Sequence, residues 1–248
     1  MRVKGVILCG GEGRRLRPLT YYFQKTMIPV GSRQKPLLEY IVKLFRWSNI
    51  RDILLLVGYK GMQILNYFED GSRFGVNIEY LEDPVDGRGS GHALYNAYVK
   101  GFFDDVDDLL IYYGDIISDI SLNDLVNTHH HYDADVTLAI ASGYQIPVGV
   151  AYMDGERVRK LVEKPWLDLN VTIGVLTVKR DTMDILGELA RDRDELDIMG
   201  DFIPKVIDMG LTVVGYRHDG FWYDVGTTEK YEKLDNDVID KLYLKIEQ

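Results

Sequence analysis

The chain has 248 residues, 46% of them hydrophobic and 27% charged, and its 29 Lys and Arg against 39 Asp and Glu leave a net charge of −10. That composition excludes a disordered or fibrous chain, argues against nucleic acid as a partner, and suits one α/β core burying roughly 70–75% of the unfolded surface. No apolar run reaches the ~18–20 residues that cross a bilayer, no signal-peptide pattern precedes the first strand, and Cys9 has no second cysteine to pair with, so a cytoplasmic protein with no membrane partner is expected.

In chain order, Val3 to Cys9 reads as a short apolar strand ended by Gly10-Gly11. Residues 1–35 carry eight cations against Glu12 alone, a net +7 that leaves −17 for the remainder, so a local basic loop can still hold a small anion. A helix begins near Pro36, its Leu37, Leu38, Ile41, Leu44 and Phe45 recurring at three-to-four spacing. Strand, helix and strand follow at Ile53–Val57, Met62–Phe68 and Asn77–Leu81, then a loop from Glu82 to Gly91 and a helix over Ala93–Tyr98. The acidic cluster Asp104 to Asp108 reads as an exposed turn, before a strand Leu109–Tyr113 that ends in Gly114-Asp115.

His129-His130-His131 lies on a helical segment, where neighbouring side chains point about 100° apart and cannot converge on one ion, so a solvated helix end is expected. Strands are expected at Val136–Ala141, Val148–Met153, Val158–Val162, Val171–Val178 and Leu211–Tyr216, as an antiparallel excursion from the parallel sheet. Helices are expected at Thr182–Arg191, at Phe202–Met209 and, closing the chain, from Thr228 to about Ile246. The alternation predicts an α/β, Rossmann-like fold, a mainly parallel sheet with helices on both faces and a small antiparallel portion. No linker divides it, so residues 1–248 are read as one domain.

Gly10-Gly11-Glu12-Gly13-Arg14-Arg15-Leu16-Arg17 follows the first strand directly, where open α/β sheets bind ligands. Gly10, Gly11 and Gly13 let successive N–H groups converge on phosphate oxygens, and Arg14 and Arg15 add forked donors matched to phosphate, so the loop reads as a triphosphate cradle. It is not a Walker loop, lacking a terminal Gly-Lys-Ser/Thr, and not a dinucleotide fingerprint, since Leu16 stands at the third glycine position. Asp115 and Asp224 each end a strand-like run, and set against a phosphate cradle they suit Mg²⁺, which takes one or two carboxylates plus phosphate oxygens and water.

These residues resemble the opening signature of the sugar-1-phosphate nucleotidyltransferases: Gly10 to Gly13, Arg15-Leu16-Arg17-Pro18-Leu19-Thr20, Lys25 before Met27-Ile28-Pro29-Val30, and Lys35-Pro36-Leu37. Gly114-Asp115, Glu163-Lys164-Pro165, Asp201-Phe202-Ile203-Pro204 and Trp222 to Thr227 continue the resemblance in order. Departures are Arg14 where Thr or Ser is common, Gln24 in place of a proline, about two added residues between Gly31 and Lys35, and Thr172 where an Asn often stands.

The resemblance implies transfer of a nucleotidyl group from a nucleoside triphosphate to a sugar-1-phosphate with Mg²⁺ as cofactor. It implies Arg15 on the β- and γ-phosphates, Lys25 on the α-phosphate, and Asp115 and Asp224 on the metal. Ser90 and Gly91, in a Gly-Ser-Gly-His-Ala turn similar to that of uridylyl-transferring members, would face the base. Lys164 would hold the sugar phosphate, with Gly149, Glu163, Thr172 and Gly174 about the sugar. The nucleotide-binding portion would span about 1–130 and the sugar-binding portion about 131–227. Glucose-1-phosphate with UTP or dTTP is the first expectation and mannose-1-phosphate with GTP the second. A non-catalytic nucleotide-sugar-binding regulatory subunit is the reading of another class, disfavoured because Arg15, Lys25, Asp115, Lys164 and Asp224 are all present. Asp-x-Asp runs at 133–135 and 235–237 offer a glycosyltransferase reading but stand at a strand entry and on the terminal helix. A homo-oligomer would use surfaces other than the left-handed β-helix that some relatives carry after the catalytic domain.

Overall fold

The computed structural model describes residues 1–146 and 148–247. Its strands are β1 (Val3–Cys9), β2 (Pro29–Val30), β3 (Lys35–Pro36), β4 (Asp52–Val57), β5 (Asn77–Glu82), β6 (Asp108–Tyr113), β7 (Ile116–Ser118), β8 (Val136–Gln145), β9 (Val150–Asp154), β10 (Arg157–Val162), β11 (Trp166–Lys179), β12 (Val213–His218) and β13 (Trp222–Asp224). Its helices are α1 (Leu37–Trp47), α2 (Gly61–Phe68), α3 (Ser90–Val99), α4 (Leu122–His131), α5 (Met183–Ala190), α6 (Ile203–Asp208), α7 (Thr228–Glu232) and α8 (Asn236–Ile246).

One seven-stranded sheet in the order β12-β8-β11-β6-β1-β4-β5 organises the molecule. All neighbours pair in parallel except across β11, which runs against both β6 and β8. The central strands carry apolar runs, Val6–Cys9 in β1, Ile53–Val57 in β4 and Leu109–Tyr113 in β6, because helices cover both faces and bury nearly every side chain in turn. One core packs Leu38, Ile41, Phe45, Ile64, Leu125 and Ile239, drawn from α1, α2, α4 and α8. The other packs Leu94, Ala97, Leu186 and Val206 from α3, α5 and α6. Among the described residues no helix is long and apolar enough to cross a membrane.

The second half differs from its expectation in informative ways. Only β11 is antiparallel within the main sheet; β8 and β12 run parallel to its core strands, and the antiparallel excursion is the separate β9–β10 hairpin. The closing helix is two, because Asp235 turns its side chain onto the N–H groups of Asp237 (2.9 Å) and Val238 (3.3 Å) and starts α8 afresh. The helix read over Phe202–Met209 is α6, and a π-helical turn, Ile198–Phe202, that the sequence did not suggest leads into it.

The histidines are also placed differently. His129 is 1% exposed and bonds Thr137 Oγ1 at 2.9 Å, while His130 Nε2 lies 2.7 Å from Asp108 Oδ2. Asp108, expected in an exposed turn, is the buried first residue of β6. A buried carboxylate needs partners, and the α4 histidines supply them. Of the three, only His131 is exposed.

Candidate active site

The carboxyl ends of β6, β1, β4 and β5 deliver Asp115, Gly10, Gly58 and Asp83 to one rim of the sheet. A cavity of about 350 Å³ opens there, lined by Gly10, Gly11, Lys25, Asp83, Ser90 and Asp115, with Leu8, Leu56 and Ala93 as apolar walls.

The glycine loop leaves β1 through Gly13, whose φ of 62° is the left-handed turn that glycine takes without strain. A short helical turn, Arg14–Leu16, follows, anchored by buried Leu16 and by the Thr20 hydroxyl donating to the Gly13 carbonyl at 2.9 Å. The loop's arginines are not equivalent. Arg14 Nε donates to Glu12 Oε2 at 2.6 Å, and Arg17 stacks 5.1 Å from the Tyr21 ring centre. Arg15 is exposed, and among the described residues no carboxylate pairs with it. Arg14 and Arg15 do not line the cavity itself.

Lys25 does, and its ammonium is ion-paired with Asp115 Oδ2. Buried Gln24 presents it: the Gln24 carboxamide donates to the Cys9 carbonyl at 2.5 Å and accepts from Thr26 N (2.6 Å) and Thr26 Oγ1 (2.7 Å). The Gln24 N–H donates to Gln63 Oε1 at 2.6 Å, a bond that a proline at this position could not make. The departure at Gln24 thus ties the lysine turn to both β1 and α2.

Asp115 and Asp224 are neighbours through the backbone. β13 pairs antiparallel with β7, Asp224 facing Ile116 in register, and the Val225 N–H donates to the Asp115 carbonyl at 2.9 Å. The Asp224 carboxylate accepts from Lys230 Nζ of α7 at 2.6 Å. From the same helix the Thr228 hydroxyl reaches the carbonyls of Arg15 (3.4 Å) and Arg17 (3.3 Å), joining the Asp224 strand to the glycine loop. No third His, Cys, Asp or Glu among the described residues joins the two carboxylates to complete an all-protein metal cage. Two oxygen donors are the set of a hard cation that fills its shell with phosphate oxygens and water.

Ser90 lines the cavity, but its hydroxyl donates to Asp197 Oδ2 at 2.8 Å and accepts from the Ile198 N–H at 2.9 Å. Gly91 lies behind it, its N–H given to the Leu196 carbonyl at 2.7 Å, and the His92 ring bonds the Arg193 carbonyl at 2.8 Å. These bonds hold α3 against the segment before α6, leaving Ser90 at the cavity wall and Gly91 and His92 behind it.

On the other flank Gly174, at φ 71°, sits in a bulge of β11 where an added Cβ would stand 3.2 Å from both Tyr113 Cβ and Ile116 Cγ1. Only a residue without a side chain lets β11 lie so close to the Asp115 turn. Glu163 turns to Gly149, where a Cβ would stand 2.9 Å from Glu163 Oε2. The Lys164 N–H donates to the Val148 carbonyl at 3.3 Å. Lys164 also contributes to the lowered carboxyl pKa of Glu229 on α7, behind the larger effect of Lys233. Thr172 is exposed and pairs in register with Ile140. Gly149, Glu163, Lys164 and Thr172 thus lie on the β8–β11 flank, outside the cavity lining.

Two site residues escaped the sequence reading, Lys230 and Asp83. Asp83 follows β5 as Asp115 follows β6, but β5 is a half-exposed edge strand and gives a weaker signal; Lys230 could be found only once α7 was known to fold back on Asp224.

A family model described as nucleotidyl transferase matches residues 4–241. The chain is 33% identical over 251 residues to the low-salt glycan biosynthesis nucleotidyltransferase Agl11 of Haloferax volcanii, covering 98% of this chain and 68% of that protein. It is 29% identical to a UTP–glucose-1-phosphate uridylyltransferase of Synechocystis, covering 92% of this chain and 61% of the relative, so it spans about two thirds or less of these relatives' lengths. The fold matches that of a Bacillus anthracis protein named for glucose-1-phosphate thymidylyltransferase activity and solved with sucrose, at a TM-score of 0.75 and 22% identity over 96% of this chain and 94% of that one.

Proposed function

Given that the chain belongs to the nucleotidyl transferase family, we propose that it joins a nucleoside triphosphate to a hexose-1-phosphate, giving an NDP-sugar and pyrophosphate. The observation that carries this reading is the Lys25–Asp115 pair lining a cavity at the carboxyl ends of the strands, beside the glycine loop and backbone-linked to Asp224.

In the reaction an oxygen of the sugar phosphate attacks the α-phosphorus, the bond to the bridging oxygen breaks, and pyrophosphate leaves with the electron pair. The nucleophile is already an anion, so no general base is needed. Two polyanions must instead be aligned, worth roughly 7–11 kcal/mol, and charge growing on phosphate oxygens met by fixed donors, each worth roughly 2.7–4 kcal/mol. Gly10, Gly11 and Gly13 offer backbone N–H groups and Arg15 a free guanidinium for the β- and γ-phosphates. Lys25 changes partner from Asp115 to the α-phosphate. Asp115 and Asp224 would hold Mg²⁺, which supplies charge neutralisation at the reacting phosphates. Lys164 takes the sugar phosphate, and Glu163 accepts from sugar hydroxyls near the backbone of Gly149, Thr172 and Gly174. Residues up to about 130 thus serve the nucleotide and those from about 131 to 227 the sugar.

The buried Cys9 thiol, whose pKa desolvation pushes up to about 12, stays protonated at neutral pH and suits a cytoplasmic setting. The net charge of −10 counts against a nucleic-acid partner, while the local excess of cations in residues 1–35 suits small anions.

Pyrophosphate release over a panel of triphosphates and hexose-1-phosphates with Mg²⁺ tests the proposal. Release that requires both substrates is the expected result; binding without turnover across the whole panel would overturn it.

A further inference from the structure

We propose that the base taken by this cavity is guanine and that the Asp83 carboxylate selects it, an inference that rests on the nucleotidyl-transfer reading and refines its substrate. Asp115, Gly10, Gly58 and Asp83 stand at the ends of four successive strands, β6, β1, β4 and β5. The Asp83 side chain reaches back across β4, so that its carboxylate lies against Gly58 and against Gly10 of β1. The reacting phosphate belongs beside the Lys25–Asp115 pair, which leaves the part of the cavity lined by Asp83, with Leu8, Leu56 and Ala93 as apolar walls, for a flat base.

Asp83 is fixed in place. Its N–H donates to the Val57 carbonyl at 2.8 Å, and a methyl group on either Gly10 or Gly58 would collide with its Oδ2. The residue as a whole is exposed at the cavity mouth, yet its carboxyl is tucked between those two glycines, and this desolvation raises its pKa. No described side chain or N–H donates to the carboxylate and no cation pairs with it. A charge desolvated without a donor is costly unless a ligand supplies one.

An ionised carboxylate only accepts hydrogen bonds. Guanine offers two donors side by side, N1–H and the N2 amine, spaced for both carboxylate oxygens. Adenine and cytosine offer one amine beside a ring acceptor. Uracil and thymine set a single N–H between two carbonyl oxygens, which the carboxylate repels. In the Gly-Ser-Gly-His-Ala turn the Ser90 hydroxyl, the Gly91 N–H and the His92 Nε2 are engaged by the segment 193–198 rather than offered to a base. Guanine is thus proposed in place of the pyrimidine that the resemblance of that turn implies.

The test is binding of GTP, ATP, CTP, UTP and dTTP with Mg²⁺ by calorimetry, beside pyrophosphate release, for the full chain and for Asp83→Asn. A good bidentate contact gives roughly five- to 150-fold discrimination, so the native chain should bind GTP at least about tenfold tighter than UTP or dTTP. Asp83→Asn, isosteric but carrying one donor and one acceptor as the uracil edge requires, should reverse or erase that ratio. Tighter UTP or dTTP binding by the native chain overturns the base assignment while leaving nucleotidyl transfer intact. Selective GTP binding with no release from any pair supports the base assignment and overturns the catalytic reading. If Asp83→Asn fails to fold, the native ratios alone decide.

Discussion

Lys25 and Asp224 carry the heaviest demands at the scale of single residues. Truncating Lys25 removes a charge that acts on the transition state, so Lys25→Ala should lower turnover at least about 100-fold with the fold intact by circular dichroism. Arg15→Ala should do the same, since no carboxylate already occupies that guanidinium. Asp224→Asn should abolish most Mg²⁺-supported turnover; a Mg²⁺ titration giving near-native rates would remove Asp224 from the mechanism. Asp108 makes a separate demand, on stability. Burial alone would raise its pKa, but the adjacent His129 ring and the hydrogen bond to His130 outweigh that and hold it below the ordinary aspartate value. With the folded pKa depressed, its stabilisation is present above about pH 4 and lost as pH falls through the folded value. Urea midpoints measured from pH 5 downward should therefore drop less steeply in Asp108→Asn. The glycine loop was legible in the sequence because three glycines and a cluster of cations directly follow an apolar strand. Asp83, Lys230 and the Asp108–histidine cluster were not, because each acquires its role from a chain segment brought beside it by folding.

Among the elements, the central strands were the most legible. β1, β4 and β6 are buried on both faces, so each carries a continuous apolar run whatever its partners. β11 was only half seen: its fourteen residues cross a bulge at Gly174, and the largely exposed stretch from Trp166 to Asn170 lies outside the apolar run that marked the strand from Val171. The chain terminus shows how one side chain can overrule periodicity. Asp235 caps α8 with two N–H contacts and divides what hydrophobic spacing reads as one helix. Asp235→Ala should cost about 0.5–2 kcal/mol. α8 is packed on α1, with Tyr243 and Tyr40 edge to face at 5.3 Å, so the loss should appear in global thermal unfolding. At roughly 2–4 °C per kcal/mol for a chain of this size, the midpoint falls by a few degrees; an unchanged midpoint would show that α8 frays independently.

For the whole molecule, the sheet order itself makes the site. β1 pairs with β4 on one side and β6 on the other, so the chain turns in opposite directions from the end of β1, the place where ligands bind in open α/β sheets. The glycine loop, Asp115 and Asp83 reach one rim because their strands are parallel there. Antiparallel β11 returns Gly174 and the Glu163–Lys164 segment to the far flank of the same rim. α7 closes the arrangement by carrying Lys230 to Asp224 and Thr228 to the glycine loop. The alternation of strands and helices foretold a mainly parallel sheet, whereas which strands become neighbours depends on packing that no local pattern records.

The most direct measurement is a crystal structure of the protein with Mg²⁺, a non-hydrolysable nucleoside triphosphate and a hexose-1-phosphate. The account predicts the metal between Asp115 and Asp224, the α-phosphate on Lys25, and the sugar phosphate on Lys164 within reach of in-line attack. A triphosphate seated away from the glycine loop, or a metal bound by neither aspartate, would contradict it.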